Sequence, residues 1–420
     1  MVATTSSNSS SSHEEISPSL SPTDIASSAT SISSASAASS PCSPSPPASL
    51  HHFPHVPSTN KETTLSLELY RQNAQRSNDP NLQMDFCVYL LDIAKQQPDS
   101  EQETRAALYG ECIKLLKSLA ARNADAKFLL AECYATGAGV SRPMPKEAFS
   151  LYVQAAKQGH PSATYEAARC YEYGRGTRRE PAKAYTFYLK AANAAHPGAM
   201  FRLALAELRS ELGRAEDVRN GVKWMCRAVD CATPDFPHAL YEWAKMHEAG
   251  YGDIVFQDEE YALSLYLRAA DELGHAPSAY RLGGCYERGE LGVPVDPARS
   301  VYYYGCAAEQ GHRDACLALT SWYLVGCECL PQSDVDAYAW ALRAAEKGLP
   351  RAEYSVGYFL SLGIGVEKDE TAALEWYQKA AKHGDRLAIQ QLKNLEKGEA
   401  LRGKGGKRRR EVSSADCVIA

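Results

Sequence analysis

The sequence predicts an all-α protein, a right-handed α-solenoid of helix-turn-helix repeats. A motif of 36 to 40 residues recurs seven times. Each copy divides into two amphipathic halves, and glycine separates them, as in Gly137-Ala138-Gly139. A single helix pair cannot bury its own apolar stripe, whereas stacked pairs can. The first apolar positions of the copies are Ala126, Ala163, Ala199, Ala239, Ser278, Ala315 and Ala352.

Residues 1–60 are predicted to form a disordered tail rich in serine and proline. Runs such as "TTSSNSSSSH" contain almost no large apolar groups, so burial cannot offset the entropy of ordering the chain. Ser17, Ser21, Ser43 and Ser45 each precede proline and are candidate phosphorylation sites. An inert solubilising tail is the alternative.

Residues 61–123 are predicted to form a helical N-terminal cap followed by a divergent repeat. The stretch "LSLELYRQNAQRSNDPNLQMDFCVYLLDIAKQ" has the composition of a helical cap. The stretch "ECIKLLKSLAARNADA" resembles the second helix of an earlier unit.

Residues 124–395 are predicted to form the repeat solenoid. In the first half of a unit the apolar residues lie at offsets 0, 4, 5 and 8, which form one face of a helix. The second half carries an Ala-Ala pair and a tyrosine, which predict a close helix contact with an aromatic filler. Two units depart from the pattern. Ser210 replaces the turn glycine of the third, and the insertion after Gly326 loosens the turn of the sixth.

The repeats carry no legible catalytic, cofactor or metal site. Glycine pairs such as "YGRGT" follow a helix instead of a strand, which argues against a phosphate loop. The sequence "CEC" at 327–329 is a weak metal motif, because no second cysteine pair accompanies it. Two further columns of residues are candidate metal or disulfide sites, but a column of helix-capping histidines and a column of small buried cysteines are the favoured interpretations. They are His160, His196, His275 and His312, and Cys133, Cys170 and Cys285.

Residues 396–420 form a basic tail that ends in "CVIA". This ending fits the C-a-a-X prenylation box with Cys417 as the lipidated residue, and alanine at the last position favours farnesyl. A basic cluster next to one lipid chain makes a two-signal membrane anchor. A nuclear-localisation or nucleic-acid-binding tail is the alternative. The predicted membrane-binding residues are Arg402, Lys404, Lys407, Arg408, Arg409 and Arg410.

Charge and hydropathy limit the possible partners. The formal net charge is -6, and the basic cluster leaves the remaining residues at -12, which argues against a chain-wide nucleic-acid surface. No secretory signal and no long apolar run is present, which predicts a cytosolic protein whose 13 cysteines are free thiols.

The unit A-x-x-x-L-x-x-x-Y-x-x-G-x-G-V followed by A-x-x-W/L/F-Y-x-x-A-A-x-x-G resembles the Sel-one-like repeat, a relative of the tetratricopeptide repeat. Together with the lead-in "YRQNAQRSNDPNLQMDF" and the C-terminal box, it resembles the fungal chitin synthase activators. That resemblance implies a non-catalytic scaffold that binds a chitin synthase catalytic subunit. It also implies a location at the cytoplasmic face of the plasma membrane, with a cytosolic pool, after a prenyltransferase has modified Cys417. A general membrane-anchored signalling adaptor is the alternative.

Overall fold

The computed structural model describes residues 60–77, 79–97 and 101–402, and within these ranges the chain forms α-helices and no β-strand. A π-helical turn, Arg268–Glu272, continues α11. The helices are α1 (Asn60–Ser77), α2 (Pro80–Gln96), α3 (Gln102–Leu119), α4 (Ala124–Thr136), α5 (Pro145–Lys157), α6 (Pro161–Tyr173), α7 (Pro181–Asn193), α8 (Pro197–Leu208), α9 (Val218–Asp230), α10 (His238–Ala249), α11 (Glu259–Leu267), α12 (Ala276–Arg288), α13 (Pro297–Glu309), α14 (Arg313–Val325), α15 (Asp334–Glu346), α16 (Pro350–Leu362), α17 (Glu370–Lys382) and α18 (Arg386–Arg402).

The helices α4 to α17 form seven consecutive pairs, which we call repeats 1 to 7. The first helix of a repeat packs against its own second helix, and that helix packs against the first helix of the next repeat. Glycine ends the first helix in repeats 1, 2, 5 and 7 with a left-handed backbone, for example φ 83° at Gly137 and φ 78° at Gly363. Residues with a Cβ adopt this conformation poorly, so glycine is favoured there. The predicted all-α solenoid of helix pairs is confirmed.

Alanine and tyrosine fill the contact between helices. The first alanine of each predicted pair is buried, whereas the second is buried in Ala192, Ala308 and Ala345 and half-buried in Ala156, Ala270 and Ala381. The predicted tyrosines Tyr152, Tyr188, Tyr266, Tyr304 and Tyr377 are all buried. The fit is close: a Cβ added at Gly357 would lie 2.9 Å from the ring of Tyr377. The seam is therefore packed as predicted at its first alanine and looser at its second.

The two turns that depart from the sequence pattern, in repeats 3 and 6, connect their helices with different backbone conformations. In repeat 3, Ser210 and Leu212 take φ values of 54° and 55°, so the left-handed conformation persists at these two positions without glycine. Glu207, which replaces the tyrosine of the first helix, is buried and accepts a hydrogen bond from Tyr185 at 2.7 Å. In repeat 6, Gly326 has a positive φ of 72° with an extended ψ of 163°. A β-bridge between Cys327 and Leu330 closes the longer turn.

Helices flank the seven repeats on both sides. α2 and α3 form a further pair before repeat 1, with Phe86 and Leu116 in its core. α18 packs on α17, and its Ala388 is fully buried 36 residues after Ala352, in the position of a further first helix. The predicted disordered tail, apart from its last residue, and residues 403–420 of the basic tail lie outside the described residues.

Candidate interaction surface

A column of half-buried aromatic rings runs along the first helices. It comprises Phe128, Tyr165, Phe201, Tyr241, Tyr280 and Tyr354, each two residues after the first apolar position of its repeat. Sequence reasoning missed this column, although the recurrence of an aromatic residue at one offset was a usable signal. Aromatic rings with one accessible edge are typical anchors of protein interfaces. We call these rings, together with the residues one turn further along each first helix, the first-helix face.

Histidines join successive repeats by capping the first helix. The Nδ1 atoms of His160, His196 and His312 accept the backbone N–H of the residue three positions later, at 3.1, 3.2 and 3.3 Å. The ring of His196 also stacks on Tyr165, with centroids 4.5 Å apart. The predicted capping role is confirmed for these three. The fourth, His275, instead contacts Ser278 Oγ at 2.8 Å and His238 at 3.2 Å.

Burial favours the neutral form of the four histidines that precede the first helices, and their pKa values are lowered accordingly. Burial lowers the pKa of His196 and of His275 to about 4, and it also lowers the pKa of His160 and His312. A neutral imidazole can accept the cap hydrogen bond, whereas a protonated one cannot and would also oppose the positive end of the helix dipole. These rings therefore serve the fold and are not free ligands.

Two polar networks clamp adjacent repeats. Between repeats 2 and 3, Glu172 accepts hydrogen bonds from Tyr188 at 2.5 Å and from Arg202 Nε at 3.0 Å. Arg202 also pairs with Glu211 at 2.6 Å. Glu172 is only 6% exposed, so its charge is compensated almost entirely by these partners. Sequence reasoning missed the network, because its members come from different repeats.

The second network repeats this arrangement between repeats 4 and 5. Glu248 accepts from Tyr266 at 2.8 Å, and Arg281 bridges Glu248 and Glu290 at 2.5 Å each. Hydrogen bonds from Arg288 and from Arg281 lower the pKa of Glu290 to about 2. The polar groups of both networks are therefore paired with one another and stabilise the contact between repeats.

The cysteine predictions divide into a buried column and an exposed turn. Cys133, Cys170 and Cys285 are buried free thiols, as predicted, and burial raises the pKa of each to about 11. In the "CEC" turn the Sγ atoms of Cys327 and Cys329 lie 2.9 Å apart. Among the described residues no group of three or more His, Cys, Asp or Glu side chains could hold a metal ion.

A surface pocket of about 650 Å³ lies between α2, α3 and the turn of repeat 1. Its lining includes Lys95, Arg105 and Tyr109 but no carboxylate, histidine or cysteine. General acid–base or nucleophilic chemistry needs a nucleophile beside a base, and this lining supplies no such pair. The geometry supports binding through a surface.

The predicted membrane-binding and lipidation residues are mostly outside the described part of the chain. Arg402 is the last residue of α18, whereas Lys404, Lys407, Arg408, Arg409, Arg410 and Cys417 follow it. In the described ranges, no helix combines the length and apolar character needed to cross a bilayer.

The Sel1 repeat family model matches seven stretches of the chain, namely residues 124–160, 161–196, 197–232, 237–272, 276–312, 314–349 and 350–385. A crystal structure of a Sel1 repeat protein from Oxalobacter formigenes superposes with a TM-score of 0.53 at 28% identity, covering 78% of this chain and 90% of that one. The matched stretches coincide with repeats 1 to 7.

Curated relatives carry functional names. The chitin synthase regulator SKT5 of Malassezia restricta is 46% identical over 346 residues, which cover 79% of this chain and 24% of the relative. The protein of the same name from Saccharomyces cerevisiae is 36% identical, covering 81% and 51%, respectively. Chitin synthase regulatory factor 3 of Schizosaccharomyces pombe is 35% identical, covering 75% and 35%. This chain thus spans about a quarter to a half of the length of these relatives.

Proposed function

Because this chain belongs to the Sel1 repeat family and is a non-catalytic scaffold, we propose that it regulates a chitin synthase by binding the catalytic subunit. One observation carries the proposal. The similarity to the Malassezia regulator covers 79% of the chain, which is more than residues 124–385 can supply. The resemblance therefore extends beyond the repeats that many unrelated Sel1 proteins share. A membrane-anchored signalling adaptor would need only the repeats and the anchor.

The first-helix face is the surface we propose for the synthase. Three of its rings, Phe128, Tyr165 and Tyr280, stack on capping histidines, so these rings lose little side-chain freedom on binding. Basic side chains lie one turn further along, with Arg169 in repeat 2 and Lys245 in repeat 4. Each also lies over the ring of its own column, Tyr165 or Tyr241, at 5.8 and 5.5 Å from the centroid.

Capture of the detergent-solubilised synthase catalytic subunit by the purified chain tests this proposal. Replacing Arg169 and Lys245 by serine is expected to weaken capture about tenfold, and chitin synthesis in membranes should fall with it. The control replaces Lys114 and Lys157, which are exposed on α3 and α5, and should leave both unchanged. Undiminished capture by the first variant would exclude this face, and no capture by the unsubstituted chain would favour the adaptor alternative.

The second part of the proposal concerns the membrane. Farnesylation of Cys417 by a prenyltransferase, together with the cations from Arg402 to Arg410, would hold the chain at the cytoplasmic face of the plasma membrane. A single prenyl chain anchors weakly, so both signals are needed. Intact-mass measurement in the native host reports the lipid, and fractionation of a Cys417→Ser variant reports the consequence. An unmodified "CVIA" end, or a variant that stays fully membrane-bound, would contradict this part.

A further inference from the structure

One edge of the solenoid brings the turns of successive repeats together at both ends of the array. It is formed where each first helix ends, passes through its turn and enters the second helix. A Cβ added at Gly176 would lie 2.0 Å from the carbonyl oxygen of Pro145 in the previous repeat, and one at Gly365 would lie 2.0 Å from that of Asp334. Successive turns therefore touch at both ends of the array. We call this surface the turn edge.

The turn edge reverses its charge along the array. From the last residue of each first helix to the third residue of the second, it carries six basic and two acidic residues in repeats 1 and 2, and six acidic residues and one basic residue in repeats 6 and 7. The basic residues of repeats 1 and 2 are Arg142, Lys146, Arg175, Arg178, Arg179 and Lys183. The acidic residues of repeats 6 and 7 are Glu328, Asp334, Asp336, Glu367, Asp369 and Glu370. All six are exposed. The array as a whole therefore has an electrostatic polarity that its net charge conceals.

Apolar side chains accompany the acidic groups in repeats 6 and 7. Val325 and Leu362 end the first helices of these repeats and are 77% and 55% exposed, and Val335 in the first turn of α15 is 64% exposed. The backbone of Val335 meets the turn of repeat 7, since a Cβ at Gly365 would lie 2.8 Å from its nitrogen. Exposed apolar groups with a charged rim are typical of a docking surface.

The basic tail begins at this surface. α18 follows α17 through a short turn at Gly384, and Asp385 caps it by accepting the N–H of Ala388 at 2.8 Å. It therefore runs antiparallel to α17, in the direction of the first helices, and those helices end at the turn edge. With 17 residues against 13 in α17, it reaches past the start of α17. Arg402 thus lies at the acidic end of the turn edge.

We propose that residues 403–420 dock on the turn edge of repeats 6 and 7, so that the solenoid and an anionic membrane compete for the same cations. The inference goes beyond the proposed function, which assigns those cations to the membrane alone. Eight residues from 403 to 410 span up to about 26 Å when extended, and neighbouring helices lie about 8 to 10 Å apart. The cations can therefore reach the carboxylates of both repeats. The apolar "CVIA" end matches the exposed Val325, Val335 and Leu362.

Zero-length carbodiimide cross-linking of the full, unprenylated chain tests the contact directly, because it joins a lysine only to a carboxylate in contact with it. At about 20 mM salt we expect Lys404 or Lys407 to be joined to Glu328, Asp334 or Glu367, and the yield should fall steeply at about 500 mM. An equal mixture of isotope-labelled and unlabelled chains separates contacts within one chain from contacts between chains. Absence of these links at low salt, or links only between chains, would overturn the proposal.

Vesicles of phosphatidylcholine and phosphatidylserine test the competition. The edge variant, Glu328→Gln with Asp334→Asn and Glu367→Gln, removes three exposed carboxylates that cap no helix. Its control, Asp230→Asn with Glu309→Gln and Glu346→Gln, removes three exposed carboxylates from the opposite ends of second helices. The edge variant is expected to bind the vesicles about fivefold more tightly than the control.

Equal vesicle affinity of the two variants would overturn the competition, because both change the net charge by the same amount. If neither variant nor the unsubstituted chain binds vesicles while the cross-links form, the docking stands and the proposed membrane role of the cations fails. Circular dichroism of both variants confirms that the solenoid is intact.

Discussion

Repeats 2 and 3 are joined by charge, whereas repeat 7 and α18 carry small or neutral polar residues at the equivalent positions. At the end of the first helix, repeat 2 places the buried Glu172, which binds Tyr188 and Arg202. The equivalent residue of repeat 7 is Ser361, whose hydroxyl lies 3.3 Å from that of Tyr377. In the position of Arg202, α18 carries Gln391.

The comparison shows that one backbone geometry accepts two different junctions. In a buried ionic network, removing one partner leaves an uncompensated buried charge and strongly lowers the stability of the fold. A junction of small residues has no such weak point, but it gains less from any single contact. We therefore expect the array to respond unequally to equivalent changes at its two ends.

Removing the buried carboxylate of Glu172 should give the largest difference in stability between the two junctions. Glu172→Ala leaves Arg202 with only Glu211 and removes the acceptor of Tyr188, so the free energy of unfolding should fall by about 3 kcal/mol. The equivalent Ser361→Ala change should cost less than about 1 kcal/mol. Urea denaturation of both variants gives the two values. Equal losses would show that the networks do not distinguish the junctions.

Acid should loosen the junction of repeats 2 and 3 before that of repeats 6 and 7. The pKa of His196 is about 4 when folded and ordinarily 6.5, so the unfolded chain binds more protons between these values and stability falls as pH falls. The free energy of unfolding is expected to fall by about 2 kcal/mol between pH 7 and pH 4.5. Repeat 7 begins with Leu349, which cannot titrate.

The His196→Asn variant is the control for this effect, because asparagine caps a helix without titrating. Hydrogen exchange of α8 at pH 7 and pH 4.5 should show accelerated opening in the parent chain and a smaller change in the variant. The same acceleration in both would locate the acid sensitivity elsewhere.

Overpacking the alanine contact between helices should give a smaller difference in stability between repeats 2 and 7. Ala192 in repeat 2 is buried, whereas Ala381 in repeat 7 is half-buried. Ala192→Leu should destabilise the chain by about 1.5 kcal/mol through overpacking, and Ala381→Leu should cost much less. Thermal melts of the two variants decide this, and a larger loss at Ala381 would mean that repeat 7 is the tighter end.

The turn residues give the smallest effects, with opposite signs. Ser210 in repeat 3 has φ 54°, so Ser210→Gly should stabilise the chain by about 0.5 to 1 kcal/mol. Gly363 in repeat 7 has φ 78°, and Gly363→Ser should destabilise it by about 1 kcal/mol. Opposite shifts of the unfolding midpoint are expected, and shifts of the same sign would contradict the strain argument.

The sequence predicts the repeats because their determinants are local. Alanine, tyrosine and glycine recur at fixed offsets, and even Ser210 stands in a column whose left-handed turn the structure retains. The clamps were not predictable, because Glu172 and Arg202 meet only once the stacking register of two repeats is known. The charge polarity of the turn edge was not predictable either, because the charges of its two ends cancel in the net charge of the chain. The lipidation of Cys417 stays a prediction.

The β-bridge in the turn of repeat 4 has a practical consequence for engineering. Tyr251 and Val255 close this turn, with the backbone nitrogen of Tyr251 donating to Val255 at 2.9 Å. Gly252 and Asp253 lie exposed between them, and a Cβ at Gly252 would meet nothing within 4 Å. A peptide tag or fluorophore-bearing loop inserted between these two residues would be held at its base by the bridge and should leave the helix register intact. The array thus offers an internal labelling position that leaves both ends of the chain untouched.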